Sequence, residues 1–327
     1  MLAIETFDLS KDYAVGLFRK RPRRALDGLS LRVEAGQVFG LLGPNGAGKS
    51  TTLKLLLRLI FPTSGTARVL GRELDDISMH TRIGYLPENP YFYDHLTTRE
   101  FLNYVGGLFG IASLPRRRRV DELVERLGLA DSSDIPLRKF SKGMVQRVGV
   151  AQALMNDPEL IFLDEPMSGL DPLGRREVRD LILELKAQGR TVFFSTHILS
   201  DAEVLCNRVA ILNRGRLHGC GELREILSLG VSMTEIVLEN PAPELLDELQ
   251  PHSRTAVKTG NRVRIEIPME AELDTVLGVI LRRGAKLVSV NPVKMSLEDY
   301  FLAQMNSGPE KPATEQAAGT PRAEGGK

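Results

Sequence analysis

The chain has 327 residues, of which 42% are hydrophobic, and its 43 Lys plus Arg nearly balance its 42 Asp plus Glu. That length suits two domains of ordinary size, and the balance of charge excludes a general basic field of the kind that holds nucleic acid by counterion release. Cys206 and Cys220 are too few and too isolated for a metal set or a disulfide framework, so both are expected to be reduced and structural. No stretch approaches the roughly 20 apolar residues of a spanning helix. The run after Lys49 is broken by Lys54 and Arg58, and the start Met1, Leu2, Ala3, Ile4 turns acidic at Glu5 and Asp8, unlike a signal peptide. A cytosolic chain that does not cross a membrane by itself is expected.

In chain order, short strands are predicted at residues 3–8 and 29–33, then an apolar strand at Val38–Leu42 that runs into a glycine-rich loop and a helix. Over residues 97–129 the period becomes helical, with Val120, Leu123, Val124 and Leu127 on one face, Pro115 suited to a first turn and Gly128 to a stop. Buried-type strands at 160–163 and 191–195 flank a helix at 174–187, which fits a parallel sheet with crossovers. The core is therefore expected to be α/β. Past Gly221 the texture changes. Strands are predicted at 235–238, 255–258, 262–267 and 286–290, with helices at 244–249, 272–283 and 296–304. The order βαββαβ suggests a small ferredoxin-like sandwich. Residues 307–327 carry no large apolar side chain and are expected to stay disordered.

Gly43, Pro44, Asn45, Gly46, Ala47, Gly48, Lys49 and Ser50, with Thr51 after them, match the pattern GxxxxGK followed by Ser or Thr, between a predicted strand and a predicted helix. Glycines let successive N–H groups face one oxyanion, and the helix N-terminus adds positive potential. Lys49 is suited to the β/γ oxygens of ATP and the Ser50 hydroxyl to Mg²⁺. Residues 160–163 then lead into Asp164 and Glu165. Taken alone, that pair reads as a solvated turn or a cap. Beside a phosphate loop it places Asp164 at the Mg²⁺ shell and Glu165 where a carboxylate can orient, or accept a proton from, an attacking water.

Phe140, Ser141, Lys142, Gly143 and Met144 resemble the LSGGQ signature of ATP-binding cassette (ABC) proteins. Ser168, Gly169, Leu170 and Asp171 resemble that family's D-loop, and Thr196 with His197 resembles its switch histidine. The resemblance implies a P-loop NTPase fold: a RecA-like parallel core with an antiparallel β subdomain and a helical insert at about 88–155, together forming an ATPase domain over 1–221. A small α+β domain would follow at 222–305, with the disordered tail at 306–327. The motif at 296–301, Ser296, Leu297, Glu298, Asp299, Tyr300, Phe301, resembles a subgroup of bacterial export ATPases.

The resemblance also implies a head-to-tail homodimer, or a pair with a related cassette. In it the phosphate loop of one chain and Ser141, Lys142, Gly143 and Asp171 of the other enclose each ATP. Tyr13 stands where the family places an aromatic ring against adenine. The implied function is the ATP-hydrolysing subunit of a transporter, an exporter, working with a transmembrane permease on a separate polypeptide at the inner face of the membrane.

Three departures stand out. Phe140 replaces leucine, Lys142 and Met144 replace glycine and glutamine, and Glu88 occupies the usual glutamine position. An ionised Glu88 accepts but cannot donate hydrogen bonds, and its charge near a γ-phosphate is costly unless Mg²⁺ offsets it. Glu88 is kept as a catalytic and metal candidate. Two basic runs, one of Arg19, Lys20, Arg21, Arg23 and Arg24, the other of Arg116, Arg117, Arg118 and Arg119, read first as solvated faces and second as anionic-lipid contacts. They lack the interleaved aromatics of a nucleic-acid surface. Two other functions compete: a soluble cassette protein of chromosome maintenance or translation, which would show coiled-coil arms or tandem cassettes, and an ATP-dependent regulatory switch, against which Glu165 and His197 argue.

Overall fold

A computed structural model describes residues 1–16, 21–228, 231–268, 273–294 and 296–307; Arg19, Lys20 and the expected tail beyond residue 307 lie outside them. The chain opens with β1 (Leu2–Val15) and β2 (Arg21–Glu34), which pair antiparallel, followed by β3 (Val38–Leu42), buried along its length. Both opening strands run longer than expected. Asp8 adopts φ 47° and the register shifts between Thr6 and Leu9, so the in-out alternation breaks at a bulge while the pairing continues. α1 (Lys49–Leu56), β4 (Ser64–Val69), β5 (Arg72–Glu73) and β6 (Ile83–Leu86) come next.

The helical insert consists of α2 (Thr98–Leu108), α3 (Ser113–Arg126) and α4 (Lys142–Ala153). Thr97 and Glu100 cap α2 reciprocally, each side chain accepting from the other's backbone N–H. Bonding from Thr97 holds the Glu100 carboxyl below its ordinary range. Val120, Leu123 and Val124 of α3 are buried with Phe101, Leu102 and Val105 of α2, as the spacing requires.

After the insert come β7 (Leu160–Asp164), α5 (Pro172–Ala187), β8 (Thr191–Thr196), α6 (Leu199–Leu205), β9 (Arg208–Asn213), β10 (Arg216–Glu222) and α7 (Leu223–Ser228). The six-stranded sheet has the order β10-β9-β3-β8-β7-β6, parallel except for β10 at the edge. β1, β2, β4 and β5 form a separate four-stranded antiparallel sheet. Phe39, Phe162 and Phe193 pack together on one face of the parallel sheet, the rings of Phe39 and Phe193 stacked at 5.5 Å.

The last part comprises β11 (Val231–Glu239), α8 (Pro243–Leu249), β12 (Thr255–Thr259), β13 (Arg262–Pro268), α9 (Leu273–Arg282), β14 (Lys286–Lys294) and α10 (Leu297–Ser307). Its antiparallel sheet has the order β12-β13-β11-β14, the split arrangement that βαββαβ implies. Ile236, Leu238, Val263, Ile265 and Ile267 bury one face of it against Leu245 and Leu249 of α8 and Val276 and Ile280 of α9.

The last helix packs elsewhere. Leu297 is fully buried in the core that holds Ala202, Leu205, Leu223 and Ile226, and its N–H donates to the Glu203 carboxylate at 2.7 Å. α7 and α10 therefore both bridge the expected break between residues 221 and 222.

Candidate active site

The ends of β3, β7 and β8 deliver the site. Behind β3 the glycine loop is pressed against the β9–β10 turn, whose Gly215 N–H donates to the Ala47 carbonyl at 2.8 Å. Gly48 sits at φ 110°, and a Cβ there would lie 2.6 Å from the Ala25 carbonyl, so only glycine fits. α1 starts straight after it with no side-chain cap and no acidic residue in its first turn. Its first N–H groups and its positive end are thus available to an external anion.

Lys49 is only 5% exposed. Its ammonium donates to the Gly43 carbonyl at 2.7 Å and to the Pro44 carbonyl at 3.3 Å, and lies 3.1 Å from Glu165 Oε1. Glu165 Oε2 meets His197 Nδ1 at 2.9 Å. Lys49, Glu165 and His197 thus form one connected chain, in which a nearly buried ammonium and carboxylate each have the partner that burial demands. Glu165 itself adopts φ 50°, a conformation that L residues hold only when the surroundings enforce it. Its N–H donates to Ser195 Oγ at 3.0 Å, and Ser195 Oγ donates to Asp164 Oδ1 at 2.5 Å. Ser50 Oγ donates to the same Asp164 oxygen at 3.2 Å. Burial, with the Asp164 charge adding to it, pushes the nearby Tyr85 phenol up to about 12.

A cavity of about 790 Å³ opens over these groups. Its lining includes Tyr13, the loop from Asn45 through Gly46, Ala47, Gly48, Lys49 and Ser50 to Thr51, Glu88 and Glu165. Gly43 and Pro44 lie behind it and offer their carbonyls to Lys49. Asp164 and His197 are not in the wall but bond the groups that form it. Ser141, Lys142, Gly143 and Asp171 are not brought to this cavity. Ser141 caps α4 by accepting from the Met144 N–H at 3.3 Å, Asp171 caps α5 by accepting from the Gly174 N–H at 2.9 Å, and Lys142 lies against Gly169. α4 is nonetheless tied to the catalytic turn, because buried Gln146 donates through Nε2 to the Pro166 carbonyl at 2.8 Å.

Ser195 was not among the residues expected from sequence; the signal available was its place one residue before Thr196 at the end of a buried strand. Among the described residues no group of three or more His, Cys, Asp or Glu side chains is placed to hold a metal. The Ser50 hydroxyl and the Asp164 carboxylate do offer two hard oxygens side by side. That donor set suits Mg²⁺, which binds through one or two carboxylates and takes its other ligands from water and phosphate.

The ABC transporter family model matches residues 26–168. The ABC transporter ATP-binding protein sll0415 of Synechocystis is 45% identical over 92% of this chain and 84% of its own length. The chain belongs to the ABC transporter ATP-binding proteins. The bacitracin transport ATP-binding protein BcrA of Bacillus licheniformis is 35% identical over 93% of this chain and 98% of its own. The daunorubicin/doxorubicin resistance protein DrrA of Streptomyces peucetius is 34% identical over 97% and 96%. Among solved structures, an ABC transporter ATP-binding subunit superposes with a TM-score of 0.61 at 33% identity, covering 69% of this chain and 92% of that one. An ABC cassette solved as a dimer in a post-hydrolysis state with ADP and Pi superposes with a TM-score of 0.62 at 25% identity, covering 68% of this chain and 99% of that one. This cassette therefore binds and hydrolyses ATP as the ATP-binding subunit of a transporter. No helix among the described residues is long and apolar enough to cross a membrane.

Proposed function

We propose that this cassette powers an exporter as an ATP-sandwich homodimer docked on a separate permease at the inner face of the membrane. The observation that carries the proposal is the Lys49–Glu165–His197 chain beneath an uncapped helix N-terminus. An incoming triphosphate competes with Glu165 for Lys49, and Lys49 turns to the β/γ oxygens. Glu165 Oε1, released from the ammonium, then faces the water that attacks the γ-phosphorus and takes its proton. His197, bonded to the other Glu165 oxygen, holds that carboxylate in place and can donate to the departing phosphate. Ser50 and Asp164 would hold Mg²⁺, which neutralises charge on the β- and γ-oxygens. Glu88 adds a carboxylate to the same wall and is read as a sensor of nucleotide and metal. Ser141, Gly143 and the start of α4 present donors at an exposed end of the insert, where a second chain's γ-phosphate can receive them.

Export, rather than import, is supported by a Mycobacterium tuberculosis relative named a fluoroquinolones export ATP-binding protein, 43% identical over 61% of this chain, and by the daunorubicin/doxorubicin resistance protein, because outward movement of a drug confers resistance to it. The docking face for the permease is assigned to the insert. Tyr91, three residues after Glu88, is 93% exposed, and Tyr93, Tyr104 and Leu108 are exposed as well. Arg117 and Arg118 stay exposed on α3 for anionic headgroups, whereas Arg119 is tied to Glu122.

Glu165→Gln tests the reading, because it keeps size and reach while removing the proton acceptor. Turnover is expected to fall by at least about 10² to 10⁴ with ATP binding retained. Light scattering should then show an ATP-dependent dimer that Ser141→Arg abolishes. Wild-type turnover would remove Glu165 from the base role, and an ATP-bound monomer at high concentration would remove the sandwich.

A further inference from the structure

Arg23, Arg24 and Arg214 also line the nucleotide cavity. Arg24 is already neutralised. Its guanidinium bonds Asp12 and Asp27, each at 2.5 Å, and Arg216 takes the second Asp27 oxygen at 2.7 Å. Neither Arg23 nor Arg214 has a carboxylate partner among the described residues. Lys49 is shared with Glu165, so these two arginines are the uncommitted positive charges of the wall.

Their backbones are not loosely placed. Arg214 holds φ 48° in the β9–β10 turn, and the next residue, Gly215, is stitched on both sides: its N–H donates to Ala47, and its carbonyl accepts from the Asp27 N–H at 2.8 Å. A Cβ on Gly48 would lie 3.6 Å from the Gly215 Cα and 2.6 Å from the Ala25 carbonyl. Arg214 thus stands where the phosphate loop meets the hairpin that carries Tyr13. Arg23 is the cross-strand partner of Tyr13, so both side chains leave the same face of that hairpin.

A nucleotide with its base at Tyr13 and its β/γ phosphates at Lys49 places its α-phosphate at this junction. We propose that Arg214 is the α-phosphate ligand of this cassette, with Arg23 the second cation of the same wall. A guanidinium fork presents two parallel N–H donors in a fixed plane to two phosphate oxygens, a geometry that an ammonium lacks. The inference rests on the nucleotide reading of the cavity and goes beyond it, since neither the glycine loop nor the signature supplies these residues.

The test measures the affinities of AMP, ADP, ATP and adenosine in Mg²⁺-free buffer by competition against a fluorescent ADP analogue. Arg214→Asn is the main variant, because Asn tolerates the left-handed conformation and keeps the turn. Lys49→Ala is the contrast. Arg214→Asn is expected to weaken AMP, ADP and ATP alike, each by about 10-fold or more, the size of one hydrogen bond to a charged group. Adenosine should be unaffected. Lys49→Ala should weaken ADP and ATP but spare AMP. Arg214→Lys should recover part of the loss, and Arg23→Gln should show a smaller loss of the same pattern. An unchanged melting temperature for Arg214→Asn excludes misfolding as the cause. Wild-type affinity for AMP in Arg214→Asn, or a loss confined to ATP, would overturn the assignment. A wild-type chain that bound no ADP would overturn the nucleotide reading itself, and the inference with it.

Discussion

In the six-stranded sheet, β3, β7 and β8 are buried at every residue, whereas in the C-terminal sheet β13 alternates and β12 is exposed throughout. Strands covered on both faces can offer reactive groups only where they end. Here the ends of three neighbouring strands carry the phosphate loop, Asp164 with Glu165, and Ser195 with Thr196 and His197. The C-terminal sheet buries one apolar face under α8 and α9. Its ion pairs among the described residues, such as Arg264 with Glu235 and Lys286 with Glu239, are exposed on at least one side. Charge is buried in the first region to do chemistry and kept in solvent in the second, so the same chain spends its stability differently in each.

The contrast can be broken with one core substitution in the second region. Ile265→Ala should cost about 2 to 5 kcal/mol, because deleting a buried aliphatic side chain loses transfer energy and leaves a cavity. Followed by chemical denaturation, that loss is expected with ATP affinity unchanged. A parallel loss of ATP affinity would show that the second region supports the first energetically. Tyr13→Ala should weaken ATP by about 1 to 3 kcal/mol if the ring stacks on adenine, and Tyr13→Phe should keep most of the affinity. Equal ATP affinity in Tyr13→Ala and wild type would leave the ring a packing role beside Lys11, whose ammonium lies 5.5 Å from its centroid.

The smallest effect concerns the joint between the hairpin and the β9–β10 turn. Bonds from Arg216 and then Arg24 hold the Asp27 carboxyl below its usual range. A lowered folded pKa means that the stabilisation is fully present above the unfolded aspartate value of about 4 and is lost as pH falls through the lower folded value. Asp27→Asn should therefore flatten the acid limb of stability below about pH 4. Denaturation midpoints measured between about pH 5 and pH 3 check this, and identical slopes for variant and wild type would remove Asp27 as a contributor.

The glycine loop, the Asp164–Glu165 pair and His197 were legible in the sequence because each sits at a break between an apolar run and polar residues. The C-terminal elements were legible too, since one-sided burial writes a clear period into a strand or helix. β6 was missed: at four residues, Ile83–Leu86 is too short for periodicity to speak. Ser195 and Arg214 were missed for a different reason. Ser195 acts on Asp164 across 31 positions, and Arg214 lines a cavity formed by residues more than 120 positions earlier in the chain as well as by its neighbours in space. Such juxtapositions come from topology, which local pattern does not encode. The apolar positions Leu297, Tyr300 and Phe301 marked a helix face without saying which core would receive it.

That last packing has a consequence for how the molecule is made. Synthesis is vectorial, and N-terminal units ordinarily fold while the rest of the chain is still emerging. Every nucleotide motif here has left the ribosome well before Leu297, yet the hydrophobic seat formed by Ala202, Leu205, Leu223 and Ile226 waits for that residue. A nascent chain cut short after β14 would carry a complete phosphate loop and catalytic pair beside an uncovered apolar seat. Such a product exposes apolar surface that the α10 contact covers, and exposed apolar surface is what makes partly folded chains prone to aggregate.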